Sequence, residues 1–305
     1  MPTIPTRVSG PALALAASLV IGGLTSLARG DAYWRFEETG GPTVVDSGPA
    51  GLDGTLNVLP VRLPGVAVDP VPHAGLANTR QLDLNFQSPS AGGFFDVPDT
   101  GGQLSFGPGR SFSIEAWVRL SELSDTSSNS ERQYLCQKKM LSASNDTLDY
   151  AVLVQRGNSG PGVTFGKTGG YSGRELQVLF GTGEGVWNVT SELEINDFDW
   201  HHVSVAYDAE NNQLRFGLDG VFDVVDLGTE GRTINNGPLR IGAHDNAGGV
   251  SNFFLRGAID EVRVSRRFVP EQQLLDAAPT DCDGNGVADY QQILFGLDGD
   301  CNANG

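Results

Sequence analysis

The sequence predicts an all-β protein, a two-sheet antiparallel jelly-roll sandwich followed by a short acidic tail. Three observations carry that expectation. Stretches such as SFSIEAWVRL alternate apolar and polar residues with the period of two that a strand with one buried face requires. Forty-one glycines divide the chain into short segments joined by tight turns. Only PEQQLLDAA, residues 270–278, has a helical pattern, and Pro270 stands at its start.

Residues 1–30 read as a signal peptide. Arg7 supplies a positive n-region, PALALAASLVIGGL an apolar run, and Ala28-Arg29-Gly30 small residues at the positions a signal peptidase reads. A retained membrane anchor is the alternative, but the run is interrupted by glycines and short for a bilayer. The expected mature chain then begins near Asp31, outside the cytoplasm, with no membrane insertion of its own. It keeps 18 basic and 37 acidic residues, a net charge of −19. That surface repels phosphate backbones and anionic lipid, which argues against nucleic acid and membrane surfaces as partners, and it suits divalent cations.

Residues 31–278 form one expected domain of about a dozen strands. In chain order the candidates are AYWRFE, QLDL, FFDVP, SFSIEAWVRL, QYLCQKK, YAVLVQR, ELQVLF, HHVSVAYD, QLRFGLDG, VFDVVDL, LRIGAHD and AIDEVRVS. Phe112, Ile114, Ala116, Val118 and Leu120 share one face of their strand; Ser113, Glu115, Trp117 and Arg119 share the other. Asp219-Gly220 predicts a two-residue hairpin turn. The connections GGPTVVDSGPAGLDG and GNSGPGVTFGKTGGYSG read as turn chemistry throughout. No repeat of propeller or solenoid period is present. This body contains one cysteine, Cys136, so it relies on its core rather than on disulfides, and Cys136 is expected to be a buried free thiol.

Residues 279–305 end in DCDGNGVADYQQILFGLDGDCNANG. Asp281, Asp283 and Asn285 alternate, Gly286 follows, Val287 offers a carbonyl at the seventh position and Asp289 lies at the ninth. Oxygen ligands at positions one, three and five with glycine at six wrap a hard cation, so calcium is the expected cofactor. The twelfth position, where a bidentate glutamate completes such a loop, is Gln292, which predicts weak binding. Asp300, Asn302, Asn304 and Gly305 repeat the spacing. Cys282 and Cys301 occupy the same place in the two copies and are the pair to bridge if any do. The second copy stops at its glycine, which suggests a natural chain that continues. A merely solvated acidic end is the alternative.

The order AYWRFEETGGPTVVDSGPAGLDGTL, SFSIEAWVRL, DWHHVSVAYDAENNQLRFGLDG and LRGAIDEVRVSRR resembles the laminin-G-like, concanavalin A-like jelly-roll domains of secreted bacterial proteins, over residues 31–278. The resemblance implies that the first and last pieces lie side by side as terminal strands. It also implies a structural calcium near their meeting point, with Asp46 and Asp260 as ligands. The alternative has Asp46 capping a turn and Glu261 paired with Arg263 or Arg266. The tail resembles dockerin-like and thrombospondin-type-3-like calcium repeats.

Glycosidases of the same fold carry paired carboxylates on one strand face. Here Glu192 and Glu194 share a face, but the next positions on it are Asn196 and Phe198, so the pair a retaining enzyme needs is absent. His73, His201, His202 and His244 assemble into no triad or zinc motif and are expected to be structural. Trp34, Trp117 and Trp200 fall in the resembling segments and read as packing residues. Trp187 and Tyr171 are the candidates to stack on a sugar, edge packing being the alternative for Trp187. The functional expectation is a secreted or cell-surface, non-enzymatic recognition module for a glycan or an extracellular protein. A structural spacer or adhesion module of a longer surface protein is the second reading, and a glycoside hydrolase the weakest.

Overall fold

The computed structural model describes residues 30–57, 60–84, 87–88, 91–125, 132–141, 143–157, 163–228, 232–245 and 251–278. The expected signal segment up to Arg29 and the whole tail, with Cys282 and Cys301, lie outside the described residues.

Two sheets face each other. The first runs in the order β15 (Val221–Asp226), β14 (Gln213–Leu218), β13 (Trp200–Asp208), β7 (Phe112–Leu120), β19 (Gly257–Ser265), β5 (Arg80–Asp83) and β4 (Val61–Pro64), with β1 (Ala32–Trp34) also paired to β19. The second runs β10 (Val163–Gly166), β12 (Val186–Glu194), β11 (Glu175–Gly181), β9 (Tyr150–Gln155), β8 (Gln133–Lys138), β16 (Leu239–Ile241), β6 (Phe95–Val97), β3 (Gly54–Leu56) and β2 (Thr43–Val44). A small hairpin, β17 (His244–Asp245) with β18 (Ser251–Asn252), stands apart. The sandwich is therefore all-β, and its pairings are antiparallel apart from β10 with β12.

Alternation builds the core. Phe112, Ile114, Ala116, Val118 and Leu120 of β7 point into it together with Val203, Val205 and Tyr207 of β13 and Val178 and Phe180 of β11. Phe106, Phe112 and Tyr150 stack with ring centroids 4.9 to 5.5 Å apart. The β14–β15 turn is the expected one: Asp219 and Gly220 both have positive φ, which a two-residue hairpin turn needs at both centres. The terminal strands also meet as implied, with Tyr33 opposite Arg263.

Three features differ from expectation. VTFG in the glycine-rich connection forms β10, and β2 and β3 lie within the first connection; all are short pieces with little alternation to read. VWNVTSELE forms the nine-residue β12. The segment 270–278 is no α-helix but a single 3-10 turn at Glu271–Gln273, after which Leu274 is extended (φ −67, ψ 154). Leu274 and Leu275 are consecutive and both buried. Helical geometry would turn one of them about 100° away from the other.

Leu275 belongs to a third layer. Strands β7, β13 and β19 have a second face, carrying Ser113, Glu115, Trp117, His202, Asp260 and Arg263, and it too is buried. Segments 66–78 and 266–278 cover it. Val71 and Leu275 pack with Tyr33 and Trp117, and the His73 amide donates to the Leu275 carbonyl.

Candidate functional site

The buried outer face of the first sheet is an internal ionic network. Glu115 accepts from Arg263 Nε at 2.7 Å, from the Leu275 amide at 2.8 Å, and lies 3.1 Å from His202 Nε2. His202 Nδ1 lies 3.1 Å from Asp276, and Arg263 also donates to the Gln273 carbonyl. Burial opposes ionisation of Glu115, but Arg263 and His202 overcome it and hold the carboxyl down at about 2. Burial likewise opposes the His202 charge, but Asp276 and Glu115 raise the imidazole to about 9. These groups are spent on fastening residues 273–276 and have no access to a ligand.

The exposed polar site is elsewhere, at the mouth between the sheets, where the end of β12 meets the β14–β15 turn. A shallow depression of about 440 Å³ is lined there by Glu192, Leu193, Glu194, Asn196, Leu218, Asp219 and Val221. Lys167, next to β10, lies 2.8 Å from Glu194, 3.2 Å from buried Glu175 and 3.7 Å from Glu192. Asp219 holds the rim: Oδ1 accepts the His202 amide and Oδ2 contacts His201 Nδ1 at 2.6 Å. His201 Nε2 contacts Asp197 at 2.8 Å, tying the β12–β13 loop to the β14–β15 turn. Phe198 in that loop is 55% exposed and Val221 59% exposed.

The charge state of this rim decides its chemistry. Partial burial works against the Glu194 carboxylate, yet its bonds from Lys167 leave its pKa below the usual value. The same balance, with His201 in place of Lys167, lowers Asp219, and the Asp199 amide and His201 lower Asp197. The Asp219 bond first of all, against partial burial, raises His201. These three carboxylates are ionised at neutral pH. What they offer is an array of hydrogen-bond acceptors beside exposed apolar side chains.

The sequence-predicted site residues fare differently. Trp187 is 3% exposed and packs edge-on against Phe165 at 5.0 Å, so it is a core residue and no sugar platform; its β12 position turns it between the sheets. Tyr171 is half-buried, donates its hydroxyl to the Lys167 carbonyl at 2.6 Å, and has the Arg156 guanidinium 3.4 Å from its ring centre. That guanidinium takes one face of the ring. Asp46 caps a turn: its two oxygens accept the amides of Tyr33, Gly48 and Leu52 at 2.7 to 2.8 Å, which organises the loop. Asp260 shares none of these partners. It accepts from Asn78 Nδ2 at 2.8 Å, and burial pushes its carboxyl up to about 8. Glu261 pairs with Arg35 at 3.1 Å and with the Tyr33 hydroxyl, not with Arg263 or Arg266. Among the described residues no group of three or more His, Cys, Asp or Glu side chains is gathered as a metal would need. The tail residues Asp281, Asp283, Asn285, Val287, Asp289, Asp300, Asn302 and Asn304 lie outside the described residues. Cys136 is buried and free, and burial pushes its thiol up to about 12.

The layered sandwich and its open-ended mouth define a concanavalin A-like architecture. The chain belongs to the concanavalin A-like lectin/glucanases superfamily, matching its Laminin_G_3 family over residues 90–274. Among solved structures it is similar to the binding domain of Paraclostridial Mosquitocidal Protein 1, with a TM-score of 0.53 and 11% identity over 83% of this chain. This chain spans 52% of that one. It is also similar to domain 4 of AbnA, a GH43 extracellular arabinanase from Geobacillus stearothermophilus, solved with arabinotriose: TM-score 0.52, 13% identity, 80% of this chain and 95% of that one. No curated protein matches. No helix among the described residues is long and apolar enough to cross a membrane.

Proposed function

We propose that the protein is a secreted or cell-surface recognition module that binds a glycan without cleaving it, through the depression between β12 and the β14–β15 turn. One observation carries the reading. The rim presents ionised carboxylates and the Asn196 amide beside Leu218 and Val221, and the resolved shifts of Glu194, Asp197 and Asp219 all point below the usual carboxylate range. Sugar hydroxyls donate to such acceptors while a C–H face rests on the apolar side chains. The arabinotriose complex of the arabinanase domain supports a saccharide as ligand class for this fold. Screening the purified protein on a glycan array tests it. Binding that Val221→Ala and Asn196→Ala abolish is expected; binding untouched by both, or turnover of a β-glucan, overturns it.

The proposal keeps calcium as the cofactor of the tail, on the spacing of Asp281, Asp283, Asn285 and Asp289 and of Asp300, Asn302 and Asn304. Within the sandwich it narrows to Asp260. Asp260 Oδ1 and Asn78 Oδ1 are buried acceptors with no hydrogen-bond donor in the described structure, and either a cation or the proton of a neutral carboxyl would satisfy them.

A further inference from the structure

A buried cluster at the far side of the sandwich from this mouth is used by nothing described above. Lys138, the last residue of β8, and Asp99, in the loop after β6, have side chains with no solvent exposure, and Nζ lies 3.2 Å from Asp99 Oδ2. Asp99 is held firmly: the Gln103 amide donates to Oδ1 at 2.6 Å and the Leu104 amide to Oδ2 at 3.0 Å. Lys138 Nζ also donates to the carbonyls of Asn235, at 3.0 Å, and Gly237. Ser105 Oγ connects the same Asn235 carbonyl to Asp149, which is buried as well.

We propose that Lys138 and Asp99 condense into an isopeptide bond, a covalent tie between the loop after β6 and β8. Fixed proximity without water favours the reaction, since a held amine and carboxyl react as one molecule rather than two. The interior also disfavours the two separate charges. Burial pulls the Lys138 ammonium down, more than Asp99 beside it restores, and burial raises Asp149 to about 6 in the same cluster. Passing one proton from Nζ to Asp99 removes both charges and leaves an amine facing a carboxylic acid.

The step balances without a co-reactant. The Nζ lone pair forms a bond to Asp99 Cγ, and the carbonyl electrons move onto Oδ1, where the Gln103 N–H receives the developing charge. Collapse restores the C=O and breaks the bond from Cγ to Oδ2, which departs with its proton and one proton from nitrogen as water. The product amide has one N–H, and the carbonyls of Asn235 and Gly237 stand ready to accept it. Its oxygen keeps the Gln103 amide. Asp149, reached through Ser105 and Asn235, is a positioning residue. The body's single cysteine cannot supply an internal disulfide, so this bond would be its covalent cross-link.

The test is the mass of the full-length protein purified as made and denatured before measurement. Wild type should weigh about 18 Da less than its processed sequence, the mass of the water lost, whereas Lys138→Arg, which keeps a cation but has no amine to acylate in this way, should show its full sequence mass. Trypsin should leave residues 81–110 and 133–139 of the wild type joined in one branched peptide, because a modified Lys138 is not cleaved. A wild-type map with separate peptides and cleavage after Lys138 reduces the pair to an ion pair and overturns the proposal. That map decides the matter even where the arginine variant fails to fold.

Discussion

Replacing His202 with glutamine should flatten the dependence of stability on alkaline pH. The imidazole rises from an ordinary 6.5 to about 9 in the folded protein, because its bonds to Asp276 and Glu115 outweigh burial. A folded-state pKa above the unfolded one stabilises fully below about 6.5, and the contribution is lost as pH climbs from there through about 9. The shift of roughly 2.5 units at about 1.4 kcal/mol per unit gives about 3 kcal/mol. His202 is 3% exposed, so solvent screens this little. Asp260, with its carboxyl raised to about 8, loses stability over part of the same window, between 3.8 and 8, so the wild-type slope contains both groups. The difference between wild type and variant isolates the histidine. Urea unfolding at pH 6, 7.5, 9 and 9.5 measures it. Wild type should lose about 3 kcal/mol more than His202→Gln across that range, and the variant should already be the weaker at pH 6. Parallel curves for the two proteins would refute the view that a charged His202 fastens residues 273–276.

At acid pH the same network works in the opposite direction: Glu115, held at about 2 against an ordinary 4.5, contributes above 4.5 and stops contributing as pH falls toward 2, a loss that Glu115→Gln should remove from the acid limb of the unfolding curve. Asp46→Ala strips the acceptor from three backbone amides and should cost about 1 to 3 kcal/mol by chemical unfolding. Cys136→Ser should cost about 1 to 2 kcal/mol, and peptide mapping should find Cys136 unbridged. Calcium at about 10⁻⁴ to 10⁻³ M should protect residues 281–305 from protease, an effect that Asp283→Ala abolishes and Asp208→Ala leaves intact. Asp260→Asn separates the two ways of satisfying Asp260: a calcium-dependent rise of the thermal midpoint in wild type that the variant lacks supports a cation there, and equal midpoints with calcium or chelator support the proton.

Alternation made the central strands legible. SFSIEAWVRL and HHVSVAYD each carry an unbroken apolar face, and Asp219-Gly220 sits where the turn geometry requires it. The short edge strands escaped because β2, β3 and β10 have two to four residues and contain glycine or threonine, so the pattern has no length in which to repeat. The parallel partnership of β10 with β12 is set by where the chain crosses over, which no local pattern encodes.

The site divides along the same line. Glu192 and Glu194 are legible as neighbours on one strand face, and Asn196 as the break in a catalytic pattern. That Glu194 is held ionised depends on Lys167, which lies 27 positions away in sequence and reaches it only because β10 lies beside β12. Trp187 misleads for a related reason: a tryptophan outside the resembling segments reads as a free platform until β12 exists to turn it inward. The covered face of β7 left one usable signal. Glu115, a charge of the kind that marks a solvated strand face, stands two residues before Trp117 on the same side. A large apolar ring within a charged row is costly to leave in water, so the row needs a covering layer and the charges beneath it need partners. Arg263 and His202 are those partners, and Leu275 of LLDAA, too apolar for an exposed turn, packs with Trp117 as part of the cover.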